Sequence, residues 1–220
     1  IAYYNRLLSM LFLRHHTSMK SGFYLGFVLT GGRSSRMGTD KALLPFRDRT
    51  LVEHVASCVV DAAGSATLIG SIERYGHLGL PVIEDPHAGC GPLSGIAAAL
   101  AHASPMRADC LVVACDMPLI YPSFLKELLE CAERSPEAAV VMPKGPSGYA
   151  QPLCAVYRQA CIAPALAALE QGRFKVRDAF SDLHIAHWPV DDEREQALWN
   201  VNTPEDWDRL AQLPLLHRPE

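Results

Sequence analysis

Short apolar runs of strand length alternate along this chain with longer segments of helical period, and a strand comes first. Such alternation argues for an α/β fold with a mostly parallel sheet, because parallel strands need long crossovers and must be covered by helices on both faces. Strands are predicted over residues 24–30, 66–69, 81–84, 109–115, 138–142, 152–157 and 184–189, and helices over 50–63, 93–102, 122–134, 159–171 and 204–213. Thr50 and Glu53 have capping-box spacing at the head of the first helix, and Gly64 supplies its stop. Thr203 and Pro204 give the last helix a cap and a proline at its first position. A chain of 220 residues, 49% of them hydrophobic, can bury one sizeable core. A single domain over 23–213 is therefore expected, with an extension at 1–22 and a tail at 214–220.

Charge narrows the partners. Only 20% of residues are charged and the net charge is -4, so no broad basic field exists to hold nucleic acid. The apolar run at residues 7–13 is too short to span a bilayer, and neither a basic leader nor a clear cleavage site flanks it. Residues 1–18, ahead of Met19, read as upstream translation or a disordered extension. The seven cysteines lie scattered in apolar stretches with no CxxC pair and no zinc spacing, which points to a reduced, cytoplasmic protein with thiols used as small hydrophobes. Cys110 and Cys115 should face opposite sides of one strand. The nine histidines show no metal spacing.

The chemistry concentrates after the first strand, where residues 29–41 read LTGGRSSRMGTDK. Open α/β sheets bind ligands at the carboxyl ends of their strands. Gly31 and Gly32, lacking Cβ atoms, let backbone N–H groups approach phosphate oxygens. Ser34 and Ser35 add hydroxyls, Arg33, Arg36 and Lys41 add positive charge, and Gly38 allows a second tight turn. The pattern is neither GxxxxGK[ST] nor GxGxxG, so the P-loop and dinucleotide-fingerprint readings both fail. Asp116 ends an apolar strand and precedes Met117 and Pro118, which projects its carboxylate from the same edge, as a magnesium ligand or as a cap of the next turn. Asp85 stands in an Asp-Pro turn, an ordinary turn signal. Gly91, Pro92 and Gly95 lead into a helix whose first N–H groups are available to a nucleotide, or make a plain helix entry. Asn200 and Asn202 would share a face of an extended segment, with Asn202 the favoured amide for a metal. Arg173, Lys175 and Arg177 alternate with apolar residues and would put three cations on one side of an extended segment, as an acceptor-phosphate contact or a solvated basic edge.

Taken in order, these segments resemble the molybdenum cofactor guanylyltransferases, within the wider group of nucleotidyltransferases sharing a GG-x-x-x-R-x-G-x-x-K pattern. The resemblance rests on GGRSSRMGTDKALL, VIEDPHAGCGPLSGI, VACDMPLI, QPLCAVY and NVNTPED, and it covers about residues 24–212. It implies a three-layer, Rossmann-like nucleotidyltransferase fold. It further implies transfer of GMP from GTP to the phosphate of molybdopterin-bound molybdenum, with magnesium as cofactor and pyrophosphate as product. Leu29, Thr30, Gly31 and Gly32 would then face the nucleotide, Lys41 and Arg36 its phosphates, Asp85 and Gly91 the nucleoside side, and Asp116 with Asn202 the metal. Gln151, in the acceptor-side motif, would serve the acceptor, and Arg173, Lys175 and Arg177, on their own alternation rather than the resemblance, could meet its phosphate. A nucleotide half at about 23–143 and an acceptor half at about 150–213 would meet at the KGPSGYA loop. Partners would be the cofactor, proteins of its synthesis and recipient molybdoenzymes, without nucleic acid or membrane.

Two departures from the family pattern bear on the base. Thr30 replaces the usual alanine, and Gly70 with Ser71 stands where related sequences often carry asparagine near the nucleoside. Guanine selection is thus less secured by these residues than nucleotidyl transfer. A cytidylyltransferase for the same cofactor, a sugar-phosphate nucleotidyltransferase and a non-catalytic cofactor-delivery protein are the competing readings.

Overall fold

The computed structural model describes residues 22–30, 40–87 and 89–212. Gly31, Gly32, Arg33, Ser34, Ser35, Arg36 and Gly38 lie outside the described residues, as do residues 1–21 of the expected extension and the tail. In chain order the strands are β1 (Tyr24–Leu29), β2 (Pro45–Phe46), β3 (Arg49–Thr50), β4 (Thr67–Ile69), β5 (Val82–Ile83), β6 (Asp109–Ala114), β7 (Val140–Lys144), β8 (Cys154–Tyr157) and β9 (Ile185–Pro189). The helices are α1 (Leu51–Ala63), α2 (Ile72–Tyr75), α3 (Pro92–Ala103), α4 (Pro122–Arg134), α5 (Ile162–Glu170), α6 (Val176–Ala179), α7 (Asp192–Glu195) and α8 (Pro204–Gln212).

Seven strands form one sheet in the order β5-β4-β1-β6-β8-β7-β9. All neighbours pair in parallel except β8, which runs antiparallel to both β6 and β7. The mostly parallel α/β sheet read from the sequence is thus present, with one reversed strand. Alternate residues of β1 and β6 serve the two faces: Val28, Leu111 and Val113 pack with α1 and α4, whereas Phe27, Leu29 and Val112 pack with α3 and α5. Each fully buried Leu or Phe contributes about 1.5–3 kcal/mol, so these two faces hold the strand order firmly. Cys110 and Cys115 fall in opposite faces, as their odd spacing requires. All seven cysteines are free, and burial pushes the thiols of Cys110, Cys115 and Cys154 well above their ordinary values.

Local signals hold closely. Thr50 and Glu53 make the reciprocal capping box of α1, and Gly64 ends that helix with φ 76°. At α8, Thr203 Oγ1 accepts from Asp206 N–H at 3.1 Å, while the Asp206 carboxylate accepts from the N–H groups of Asn202 and Thr203. Those backbone bonds, that of Asn202 first, hold the Asp206 carboxyl below its ordinary value. The β2–β3 hairpin has no counterpart in the sequence reading, because two-residue strands carry no measurable period. The basic stretch is a correction: α6 begins at Val176, so Arg177 sits on a helical turn and the three cations do not share one side of an extended segment.

Candidate active site

The carboxyl edge of the sheet gathers the polar groups. Cys115 N–H donates to the Leu29 carbonyl at 3.0 Å, which keeps β1 and β6 in step to their ends and leaves Asp116 just beyond them. Across the edge lies the segment Asn200, Val201 and Asn202, held by a 2.9 Å bond from Val201 N–H to the Asp116 carbonyl. Val201 is fully buried, so the asparagines on either side turn together toward Asp116. Their shared face is the one anticipated from their spacing.

Lys41 opens a short 3-10 turn, Lys41–Leu43, capped by Asp40, whose carboxylate accepts from Ala42 N–H at 3.1 Å. Its ammonium lies 2.6 Å from Asp116 Oδ2 and 3.0 Å from Asn202 Oδ1. Asp116 Oδ1 accepts from Asn200 Nδ2 at 2.7 Å. The side chains of Lys41 and Asp116 are only 16% and 12% exposed, so neither charge has bulk water as an adequate alternative partner. Lys41, Asp116 and Asn202, named from sequence far apart, are therefore one cluster.

Two clefts flank that cluster. The first, about 840 Å³, runs along the ends of β1, β4 and β5 and is lined by Leu29, Thr30, Gly70, Ser71, Asp85 and Gly91, among others. From β5 to β6 there are three strand intervals, about 14 Å at roughly 4.8 Å each, a span that accommodates a base at one end and a polyphosphate at the other. Gly91 caps α3 with φ 77°, a conformation other residues rarely take. Asp85 accepts from His87 N–H at 2.9 Å and from Ser94 Oγ at 2.5 Å, so it pins its own turn to the start of α3 while lining the cleft.

Thr30 and Gly70 are physically coupled. Thr30, 6% exposed, donates its hydroxyl to the Ile69 carbonyl at 2.8 Å, and a Cβ on Gly70 would lie 2.0 Å from the Thr30 hydroxyl oxygen. Tyr75 braces the corner: its hydroxyl donates to Asp40 Oδ2 at 2.8 Å and lies 3.3 Å from the Thr30 carbonyl oxygen. Burial, then the Asp40 bond, raises the Tyr75 hydroxyl well above its ordinary value, so it stays a donor. Ser71 caps α2 and accepts from Arg74 N–H at 3.4 Å. Sequence reasoning missed Tyr75, since nothing local to it signals a contact with residues 35 and 45 positions away.

The second cleft, about 690 Å³, reaches Asp116 through Asn200 and is lined by Leu119, Tyr149, Gln151, Trp199, Asn200 and Arg209, among others. The Arg209 guanidinium sits 5.7 Å from the centre of the Trp199 ring. Gln151, 3% exposed, reaches this edge because β8 is reversed: its first residue, Cys154, pairs with Val113 near the end of β6. Of the residues expected to meet an acceptor, only Gln151 lines this cleft. Arg173, Lys175 and Arg177 are exposed elsewhere, with the Phe174 carbonyl oxygen 3.7 Å from the position of a Cβ on Gly91.

A mostly parallel sheet with a cleft across its carboxyl edge and a lysine-carboxylate pair beyond the strand ends has the form of a nucleotidyltransferase-type site. The family model described as MobA-like NTP transferase domain matches residues 26–186, and the chain belongs to that family. A "Probable molybdenum cofactor guanylyltransferase" of Pelotomaculum thermopropionicum is 38% identical over 187 residues, covering 82% of this chain and 88% of the relative. The crystal structure of molybdopterin-guanine dinucleotide biosynthesis protein A from Archaeoglobus fulgidus superposes with a TM-score of 0.71 at 26% identity, over 84% of this chain and 95% of that one. A CMP:2-keto-3-deoxy-manno-octonic acid synthetase complexed with CTP matches with a TM-score of 0.63 at 14% identity, over 87% and 97% of the two chains, a likeness of fold alone. Fold by itself therefore does not choose the base.

Proposed function

We propose that this chain is a molybdenum cofactor guanylyltransferase, moving GMP from GTP to the terminal phosphate of molybdopterin-bound molybdenum and releasing pyrophosphate. The carrying observation is the Lys41–Asp116 pair standing between two clefts, each large enough for a small-molecule substrate. The first cleft takes the nucleotide and the second the pterin end of the acceptor, whose bicyclic ring suits the Trp199 and Tyr149 side chains. Guanine and the acceptor are supported by the names that the relatives carry.

An oxygen of the acceptor phosphate attacks the α-phosphorus of GTP; the new P–O bond forms as the bond to the bridging oxygen breaks, and pyrophosphate leaves with the electron pair. A phosphate monoester is already ionised near neutral pH, so no general base has to create the nucleophile. What remains is alignment and neutralisation of charge. Lys41 and Arg36 supply positive charge, Gly31 and Gly32 backbone donors, and Asp85 with Gly91 the shape of the nucleoside end. Arg173, Lys175 and Arg177 are exposed cations available to a phosphate-bearing substrate or protein partner.

Asp116 Oδ2 and Asn202 Oδ1 are hard oxygen donors that already share one cation, the Lys41 ammonium, which fits them to hold magnesium. Magnesium held there would neutralise charge on the phosphates. Reduced, buried cysteines support a cytoplasmic setting with brief contacts to cofactor-synthesis proteins and recipient molybdoenzymes. Pyrophosphate release measured with GTP or CTP, with and without molybdenum cofactor and magnesium, tests the reading. Release that needs GTP, cofactor and magnesium is expected; preference for CTP overturns it.

A further inference from the structure

Gln151 is almost fully buried, yet all its polar atoms are used, and the direction of each bond is fixed by groups that cannot reverse. Its Nε2 donates to the Leu198 carbonyl at 3.3 Å and to Asn200 Oδ1 at 2.8 Å, while its Oε1 accepts from Leu153 N–H at 3.4 Å. A backbone carbonyl only accepts and a backbone N–H only donates. The Gln151 amide therefore has one permitted orientation. Facing a donor, Asn200 must present Oδ1 to Gln151, which leaves Nδ2 to donate to Asp116 Oδ1 at 2.7 Å. Turned the other way, Asn200 would set an oxygen against the carboxylate and an NH2 group against another NH2 group.

We infer that Gln151 is a positioning residue for transfer: through Asn200 it orients Asp116, so the second cleft and the Lys41–Asp116 centre share one hydrogen-bond chain of fixed polarity. The chain runs from the Leu198 and Leu153 backbone through two amides to Asp116 Oδ1, and the opposite oxygen of that carboxylate meets Lys41. Gln151 and Asn200 line the second cleft and Asn200 donates to Asp116, so an acceptor seated there packs against the groups that aim the carboxylate. This assignment rests on the transferase reading of the site, but its geometry stands independently of which nucleotide is used.

The test is a double-mutant cycle on the full chain with Gln151→Met and Asn200→Leu, substitutions close in shape that remove the amides. Each single change should lower kcat by about 10–100-fold, the usual effect of losing a group that orients a functional ligand, and leave KM for GTP within about twofold. The double variant should be no slower than the slower single, since both cut the same chain. Losses that multiply, or a rise in acceptor KM with kcat unchanged, overturn the inference. Should Gln151→Met fail to fold, Asn200→Leu carries the same kcat-against-KM test. A second readout needs no activity: the Asn200 side-chain NH2 signals in a 15N spectrum should be split and exchange-protected in the unaltered chain and lose both properties in Gln151→Met. Unchanged signals in that variant overturn the inference, whereas absence of guanylyl transfer with the expected NMR change rejects only the transferase reading.

Discussion

The two clefts are made of different material. The first is rich in glycine, with strand ends, the positive-φ turn at Gly91 and the Gly70 corner where no side chain fits beside Thr30. The second is shaped by side chains, with Trp199, Arg209, Tyr149 and the Gln151–Asn200 amides at its walls. If the first cleft takes the nucleotide and the second the acceptor, as proposed, the acceptor side is the freer to vary, because side chains can be exchanged without moving the chain. The Lys41–Asp116 pair belongs to neither cleft alone, and that is where a substitution should hurt most.

Lys41→Ala and Asp116→Ala should each cut turnover by two to three decades, about 3 to 4 kcal/mol of barrier, in a pyrophosphate-release assay on protein whose circular dichroism is unchanged. Asp116→Ala should also flatten the magnesium dependence. Full turnover by a folded Asp116→Ala protein would break the comparison, because the centre would then not join the clefts.

Acid should strain the second cleft before the first. Burial first, then Arg47, lowers the His54 pKa to about 4; its Nε2 is buried without a hydrogen-bond partner, and the ring faces the backbone of Pro118 and Ile120, either side of Leu119 in the second cleft. The unfolded chain binds that proton near pH 6.5 and the folded one near 4, so stability is complete above about pH 6.5 and falls as pH drops toward 4. The loss approaches about 3 kcal/mol at most. Urea midpoints between pH 7 and 4.5 measure it, and His54→Gln should flatten that slope.

Gly70→Ala should destabilise by about 1–3 kcal/mol, the cost of overpacking a tight site, and should weaken nucleotide binding. Introducing Thr30→Ala should recover part of both, because the 2.0 Å approach to the hydroxyl disappears. Equal losses in the two backgrounds, in urea midpoint and in GTP titration, would separate the two residues. Smallest is Trp199→Ala, expected to raise acceptor KM roughly fivefold, about 1 kcal/mol of lost ring contact, with KM for GTP unchanged. If KM for GTP rises instead, the assignment of the clefts is reversed.

Much of this was legible wherever the signal is local. The strand ending before Asp116, the Thr50–Glu53 box and the Thr203 cap are short patterns, and each appears where its spacing put it. Asn200 and Asn202 were placed on one face by a two-residue spacing, although it is Asn200 that touches Asp116 directly and Asn202 that meets Lys41. Tyr75, the Thr30–Gly70 contact and the Gln151–Asn200 bond were not legible, because each depends on residues brought together from 35 to 49 positions away. The basic stretch misled for the opposite reason: alternation over five residues is too little to distinguish an extended segment from the entry to a helical turn.

The reversed strand has a consequence for the order of assembly. β1, β4, β5 and β6 can pair through successive crossovers, but β8 must enter between β6 and β7 as the second arm of a hairpin. Non-local insertions of this kind are slow relative to local pairing. On the proposed assignment, during refolding the first cleft should therefore become competent while the hairpin is still undocked, and GTP-induced protection should return before transfer does. A chain halted at that stage would hold one substrate and have no floor beneath the other.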